Sequence, residues 1–179
     1  MATFPHRLMG ASVLDVDTYE EVEADRGATA QALIVVLASS LASGIGAAGF
    51  IHQREALVQG IFLWSAVSLI AWAAWALLVF EIGGRLLPEP ETRVDVGELL
   101  RTIGFSSAPG MLRVFGIVPE LATPVFILTT IWMLVAMVVA VRQALDYRST
   151  ARAVGVCALG LALALIIVVA FGMFAAPLS

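Results

Sequence analysis

Long apolar runs alternate with short polar stretches along the chain, and four of the runs contain no charged residue. A helix rises about 1.5 Å per residue and must cross about 30 Å of hydrocarbon, so about 20 apolar residues predict a membrane-spanning helix. All four runs reach this length, and we predict that each is a membrane-spanning helix. Their ranges are 30–51, 56–80, 121–141 and 153–176.

A fifth segment, 103–119, is shorter and less regular. It contains Pro109 and Gly110 in its first half and Arg113 in its second half. Proline removes a backbone donor and clashes with the preceding helical turn, so Pro109 predicts a broken helix. A membrane tolerates such a break only where protein or water covers the freed backbone groups, which predicts a central position for this segment.

The distribution of arginine decides between four and five spans, because short cytoplasmic loops are enriched in Lys and Arg. With four spans and a cytoplasmic N-terminus, six arginines lie inside and four outside. With five spans, eight lie inside, Arg54 lies outside and Arg113 lies within the third span. We therefore predict an all-α membrane protein, a five-helix bundle with a short, Pro/Gly-broken third helix, a cytoplasmic N-terminus and an outer C-terminus.

The residues before the first apolar run include a cluster of acidic side chains. Within it, Thr18 and Glu21 have the spacing of a helix capping box, which predicts a short helix leading towards the membrane. We expect a cytoplasmic segment with a short amphipathic helix over 1–28 and a transmembrane domain over 29–179.

The loops of the five-span topology are unequal. The outer loops, 52–55 and the turn around Glu120, are only a few residues long. The inner loops, 81–102 and 142–152, are longer and carry charges of both signs. We therefore expect any soluble partner to bind on the cytoplasmic side.

Two features of the first two spans indicate close packing. Ser40, Gly44 and Ala48 are spaced four apart in the first span, and such small-residue stripes let helix backbones approach in lipid. This predicts a packing helix within the chain or an oligomer face. Trp72 and Trp75 lie deeper in the second span than an interfacial aromatic belt. They predict packing in the bundle interior, with contact to a partner or pigment as the alternative.

Arg113 is the charged residue that the five-span topology places inside a span. A charge in the hydrocarbon is costly unless it is paired or reaches the interface. Two interpretations stay open from the sequence. The side chain extends outward near Glu120, or it serves an ion path or a charged contact with a partner subunit.

Composition agrees with a membrane protein, since 60% of the 179 residues are apolar and 13% are charged. Soluble domains have about 45–50% apolar and about 25% charged residues, so an ordinary soluble enzyme is excluded. The net charge of −4 gives no indication of the basic patch that nucleic-acid binding requires. His6 and His52 stand alone, without a second ligand at metal spacing. We expect no catalytic residue, no metal and no cofactor.

Several short elements occur in the order found in the Yip family, small multi-span membrane proteins named for interaction with Rab GTPases. The family pattern has a G-Y-x-x-x-P element before a broken middle helix, and Gly104 to Pro109 resemble it with Phe105 at the Tyr position. The D-L-Y-G-P element of eukaryotic members is missing, so no Rab partner is inferred. The resemblance implies a five-span, non-enzymatic protein with a cytoplasmic N-terminus. It rests on Trp72, Trp75, Gly84–Arg85, Leu99–Arg101, Gly104–Gly110, Pro119, Trp132, Arg142 and Arg152–Ala153.

The sequence thus predicts a non-enzymatic scaffold or accessory subunit of the bacterial inner membrane that acts through helix packing and cytoplasmic loops. Its expected partners are membrane lipid and other membrane subunits or a second copy, with no nucleic acid. The alternative is a channel or transporter that uses the broken third helix and Arg113. The candidate functional or packing residues are Gly44, Trp72, Trp75, Arg85, Arg101, Gly104, Phe105, Pro109, Gly110 and Arg113.

Overall fold

The computed structural model describes residues 2–50, 57–90, 92 and 95–175, and the regular structure in these residues is helical. The α-helices are α1 (Phe4–Ser12), α2 (Val16–Ala24), α3 (Ala28–Ala47), α4 (Leu57–Val79), α5 (Val96–Ser106), α6 (Pro119–Ala144) and α7 (Thr150–Ala175). Three other helical stretches continue them: a 3-10 turn (Ala48–Phe50) after α3, a π segment (Phe80–Leu86) after α4, and a 3-10 segment (Ala108–Ile117) after α5.

Four helices in the described part of the chain are long and apolar enough to cross a membrane, and they correspond to the four uncharged runs. The chain is therefore an all-helical protein with long apolar helices. The four helices are Ala28–Phe50, Gln59–Leu86, Pro119–Ala144 and Thr150–Ile167. Outside the described residues lie the predicted helix ends at 51, 56 and 176, the loop 52–55 with Arg54, and Arg93.

The segment predicted as a short third span, 103–119, begins earlier than expected. α5 starts at Val96 because Asp95 and Glu98 form a capping box. The Glu98 N–H donates to Asp95 Oδ1 at 2.8 Å, and the Asp95 N–H donates to Glu98 Oε2 at 2.9 Å. This box satisfies backbone donors that the first helical turn leaves free. Helical structure therefore covers 96–106 and 108–117, while a fifth membrane crossing stays a prediction.

The chain changes from α-helix to 3-10 helix at Ser107, just before Pro109. Proline has no N–H with which to continue the α-helical pattern. The Ser107 hydroxyl donates to the Gly104 carbonyl at 2.6 Å, and the Gly110 N–H donates to the Ser107 carbonyl at 2.9 Å. These short-range bonds take the place of the α-helical bonds that proline removes.

On one side, α3 packs against α5 and the 3-10 segment, which run in the same direction as α3. Three glycines spaced six residues apart lie on this contact, and a Cβ at any of them would press against α3. Their small size lets the backbones approach closely, as in membrane helix pairs. The contacts are Gly104 with Ala32, Gly110 with Ser39, and Gly116 with Gly46.

On its other side, α3 packs against α4 through Gly44. A Cβ at Gly44 would lie 2.7 Å from the Ile61 carbonyl oxygen and 2.8 Å from Ser65 Oγ. Ser65 Oγ is also 3.2 Å from the Ser40 carbonyl oxygen, across the same contact. The small-residue stripe of α3 therefore lies between two neighbours within the chain.

One end of the bundle carries α1, α2 and the turn 145–149, and is called the polar end here. α1 and α2 pack as a helical hairpin against α5 and α6, where Tyr19 and Val22 are buried with Phe105 and Ala140. The Tyr19 hydroxyl donates to the Ala11 carbonyl at 3.1 Å and joins the two helices of the hairpin. This end is therefore an ordered part of the fold.

The turn 145–149 is fixed to the end of α4. Tyr147 is buried, and its Oη lies 2.9 Å from the carbonyl oxygens of both Gly83 and Leu87. Arg152, at the start of α7, forms an ion pair with Glu89 at 3.1 Å. The end of α4 and the starts of α5 and α7 thus meet at the polar end.

The N-terminal hairpin differs from the prediction of one short helix capped by Thr18. Asp15 is the N-cap of α2, and its Oδ2 accepts the Thr18 N–H at 3.2 Å. Glu21 pairs with Arg7 at 2.9 Å instead of closing a capping box. The prediction of a Thr18–Glu21 box is wrong because Asp15, three residues earlier, is itself a strong cap. Leu14, with φ of 67°, makes the turn between α1 and α2.

Candidate functional site

Arg113 lies in the 3-10 segment and is hydrogen-bonded to hydroxyl groups of two neighbouring helices. Its Nε–H donates to Thr129 Oγ1 at 3.1 Å, Nη1 donates to Ser43 Oγ at 3.2 Å, and Nη2 donates to Thr130 Oγ1 at 2.9 Å. The expected proximity to Glu120 is not found among these hydrogen bonds. The side chain therefore links α3 and α6 inside the bundle.

The surroundings of the guanidinium are polar but uncharged. Ser43 and Thr129 are 8% and 3% exposed, and the guanidinium carbon lies 5.1 Å from the centre of the Phe126 ring. An aromatic face attracts a cation without neutralising it. In the part of the chain that the structure describes, the ion pairs do not include Arg113. Arg113 therefore keeps its positive charge among neutral partners.

A cavity of about 230 Å³ lies beside Arg113 and is lined by α3, α4, α5 and α6. Ser39 and Ser40 line it from α3, and Trp72 and Trp75 line it from α4. The Trp75 indole N–H lies 3.2 Å from Met137 Sδ, whereas the buried Trp72 Nε1 has no hydrogen-bond partner among the described residues. Both predicted tryptophans therefore lie at one cavity, in which serine hydroxyls and Arg113 interrupt a largely apolar lining.

The predicted element from Gly104 to Gly110 is buried throughout. Phe105 is fully buried and meets Phe4 edge to face, with ring centres 6.4 Å apart. The Phe105 ring therefore makes an apolar contact with α1. Pro109 lies in the first turn of the 3-10 segment that carries Arg113. The element thus joins the N-terminal hairpin to the Arg113 site.

Arg101 caps the C-terminal end of α2. It is 5% exposed, and its Nε–H donates to the carbonyl oxygens of Val22 at 3.2 Å and Glu23 at 3.1 Å. The last carbonyls of a helix lack internal donors and carry the negative end of the helix dipole, so a guanidinium there is favourable. Arg101 therefore holds the N-terminal hairpin on α5.

Arg85 lies apart from the other predicted residues. It is exposed, pairs with Glu81 at 2.7 Å and lies over the Phe80 ring at 4.9 Å. Exposed pairs of this kind contribute little to stability. Arg85 therefore contributes neither to the Arg113 cavity nor to the cap on α2.

An acidic groove at the polar end was missed by sequence reasoning. It has a volume of about 370 Å³ and brings together carboxylates from α2, α5 and the turn after α6. The acidic cluster of the N-terminal segment was visible in the sequence. The proximity of Glu98 and Asp146 to this cluster was not, because both are distant along the chain. Gln143 donates to Glu20 Oε1 at 3.0 Å across the groove. The acidic side chains are Glu20, Glu23, Glu98 and Asp146.

The groove perturbs the acid–base behaviour of Glu23. Burial, followed by the nearby charges of Asp146, Glu98 and Glu20, raises its pKa to about 7, and Arg101 opposes this shift. Burial and neighbouring negative charges both disfavour the charged form of a carboxyl group. The negative charge of the groove therefore changes near neutral pH.

The helices define the class of this protein: a helical membrane protein with several long apolar helices. The family model of the Yip1 domain matches residues 12–171, and the chain belongs to this family. The resemblance found in the sequence is thereby confirmed. Comparison with curated proteins and with solved structures gives no match.

Proposed function

We propose that this Yip1-family protein is a non-enzymatic membrane scaffold or accessory subunit that binds a partner at its polar end. The observation that carries the proposal is the ordered polar end itself. The N-terminal hairpin is capped by Arg101 and lies beside the acidic groove. A preformed charged surface can bind a partner with little loss of conformational entropy.

The proposal includes five membrane crossings, with the polar end on the cytoplasmic side of a bacterial inner membrane. Two observations support it. The segment 96–117 runs beside α3 from Gly104 at Ala32 to Gly116 at Gly46. The five-span topology also places almost all loop arginines on the cytoplasmic side, where arginine is enriched in membrane proteins.

The groove indicates the chemistry of the partner. Glu20, Glu98 and Asp146 are contributed by three separate elements, and all face one cavity. Complementary charge steers association and gives specificity. The proposed partner therefore presents Lys or Arg side chains to the groove, which is formed by the N-terminal segment and by both predicted inner loops.

The test is mild-detergent extraction from native membranes, followed by native mass measurement and identification of the co-purifying chains. The groove variant carries Glu20→Gln, Glu98→Gln and Asp146→Asn. A matched control carries Asp17→Asn, Glu81→Gln and Glu120→Gln, which removes the same charge elsewhere. A stoichiometric partner with the wild type and control, but not with the groove variant, supports the proposal. A wild type without a partner, or a groove variant that keeps it, contradicts it.

Transport, the alternative expectation, is not favoured by the family assignment or by the described structure. It rested on a charged residue at a broken helix, and the structure gives Arg113 hydroxyl partners on two helices. We therefore do not extend the proposal to a solute path.

A further inference from the structure

Arg113 has hydrogen-bonding capacity that its protein partners do not use. A guanidinium has five N–H donors, and the three hydroxyl groups of Ser43, Thr129 and Thr130 take one each. Among the described residues, one N–H on each terminal nitrogen has no acceptor. Two such donors form the fork that binds the paired oxygens of a carboxylate or phosphate.

The charge of Arg113 also lacks a counter-ion in the described residues, because its partners are hydroxyl groups and an aromatic ring. In low-dielectric surroundings a cation without an anion is unfavourable. An oxyanion would supply both the missing charge and the acceptors for the remaining donors. The chemistry of the site therefore selects an anionic ligand.

Arg113 lies between two cavities, and together they fit an amphipathic molecule. The first is the cavity beside Trp72, where the serines of α3 and the Trp72 indole N–H, which has no partner among the described residues, provide polar groups in a largely apolar lining. The second, of about 220 Å³, is an apolar groove between α6 and α7, lined by Leu134 and Leu161. These leucines are 47% and 45% exposed, so the groove is open at the side of the bundle. Trp75, Arg113, Met133 and Met137 line both cavities.

The depth of the site agrees with a lipid ligand. Ser43, which bonds to Arg113, lies two helical turns before Phe50, or about 10 Å along the axis. Phe50 ends the helical run of α3 on the side away from the polar end. The guanidinium therefore lies within reach of a headgroup that enters from that membrane surface.

We propose that Arg113 binds the phosphate or carboxylate of a membrane lipid, with the acyl chain in the groove between α6 and α7. This site is distinct from the acidic groove at the polar end, and the proposal does not depend on the scaffold function.

The test is native mass spectrometry of the purified full chain in mixed micelles. The probes are phosphatidylglycerol or oleate, each against phosphatidylcholine, whose choline offsets the phosphate charge. We expect one anionic lipid to be retained by the wild type in preference to phosphatidylcholine. Loss of a hydrogen-bonded charge changes an affinity about tenfold or more, so Arg113→Met should lower this retention by at least about tenfold.

Two further variants keep the test decisive. Arg85→Met removes an exposed arginine outside the site and should retain the lipid as the wild type does. Arg113→Lys keeps the charge but not the planar fork, and it should retain the lipid at an intermediate level even if Arg113→Met fails to fold. Retention in Arg113→Met and Arg113→Lys equal to the wild type overturns the proposal. Displacement of the lipid by inorganic phosphate alone also overturns it, because the ligand is then an aqueous ion.

Discussion

Three arginines of this chain are held by three different kinds of partner. Arg7 is buried and pairs with the carboxylates of Glu21 and Asp25 at 2.9 and 2.8 Å. Arg101 donates to main-chain carbonyls, and Arg113 donates to side-chain hydroxyls. Only the carboxylates neutralise the charge of their arginine. Arg7 therefore forms ion pairs, Arg101 caps a helix, and Arg113 remains a cationic site.

Arg101→Met should loosen the N-terminal hairpin. It leaves the carbonyls at the end of α2 without a donor, and an unsatisfied buried polar group costs about 1–3 kcal/mol. We expect amide hydrogen exchange over residues 4–24 to speed up by about tenfold or more. Arg85→Met, which removes an exposed arginine, should leave this exchange unchanged. Unchanged exchange in Arg101→Met would mean that the cap does not hold the hairpin.

The raised pKa of Glu23 predicts that the stability of the folded protein depends on pH. Its pKa is raised to about 7, above the ordinary value near 4.5, so the folded protein binds this proton more tightly than the unfolded chain does. The resulting destabilisation is absent below about pH 4.5, grows as pH rises and is complete above about pH 7. Because Glu23 reaches solvent and is screened, its contribution is about 1 kcal/mol.

The measurement compares the thermal unfolding midpoints of the wild type and Glu23→Gln between pH 5 and 8. The two proteins should differ little at pH 5, and the variant should be the more stable at pH 8. Both proteins carry the other acidic groups, including Glu21 and Asp25, whose pKa values are lowered by hydrogen bonds from Arg7. The contributions of these groups to the pH dependence therefore cancel in the difference between the two midpoints. A difference that does not change with pH would contradict the assignment to Glu23.

At the scale of helices, α3 makes a close main-chain contact with the 3-10 segment. A Cβ at Gly46 would meet the main-chain carbonyl of Arg113, and a main-chain group cannot rotate away as a side chain can. Gly46→Ala should therefore destabilise the protein by about 1–3 kcal/mol, as overpacked cores do. The readout is the thermal unfolding midpoint in detergent.

Gly155→Ala is the matched control for that substitution. Gly155 lies in α7, and a Cβ there would meet no atom within 4 Å. Because alanine favours a helix over glycine by about 1 kcal/mol, this variant should be as stable as the wild type or more so. Equal destabilisation by both alanines would show that the α3 contact has no special role.

Local patterns predicted much of the helical structure but not the contacts between distant elements. Apolar run length indicated the long helices, and Pro109 marked the start of the 3-10 segment. The α2 cap was misassigned because Asp15 and Thr18 are both good capping residues, and only geometry distinguishes them. The partners of Arg113 lie up to 70 residues away, and chain spacing carries no signal for such hydroxyl contacts.

At the scale of the whole molecule, polar structure is concentrated at one end and Arg113 lies towards the other. The polar end joins the N-terminal hairpin, the acidic groove and the turn that contains Tyr147. In the proposed topology this whole end faces the cytoplasm, and the lipid site opens on the opposite half of the membrane. The placement of both sites relative to the membrane therefore depends on how many times the chain crosses it.

The number of crossings can be measured at one position. Four spans place Glu120 on the same side as the N-terminus, whereas five spans place it on the opposite side. Cys157 is the only cysteine, so a Cys157→Ser background reports single engineered thiols. Glu120→Cys and Asp17→Cys both replace exposed residues outside the apolar runs.

The most direct test is labelling of these two variants in whole cells with a membrane-impermeant thiol reagent. Five crossings predict that Glu120→Cys is labelled from outside and that Asp17→Cys is labelled only after permeabilisation. Protection of Glu120→Cys in intact cells, with labelling after permeabilisation, would contradict the five-span account.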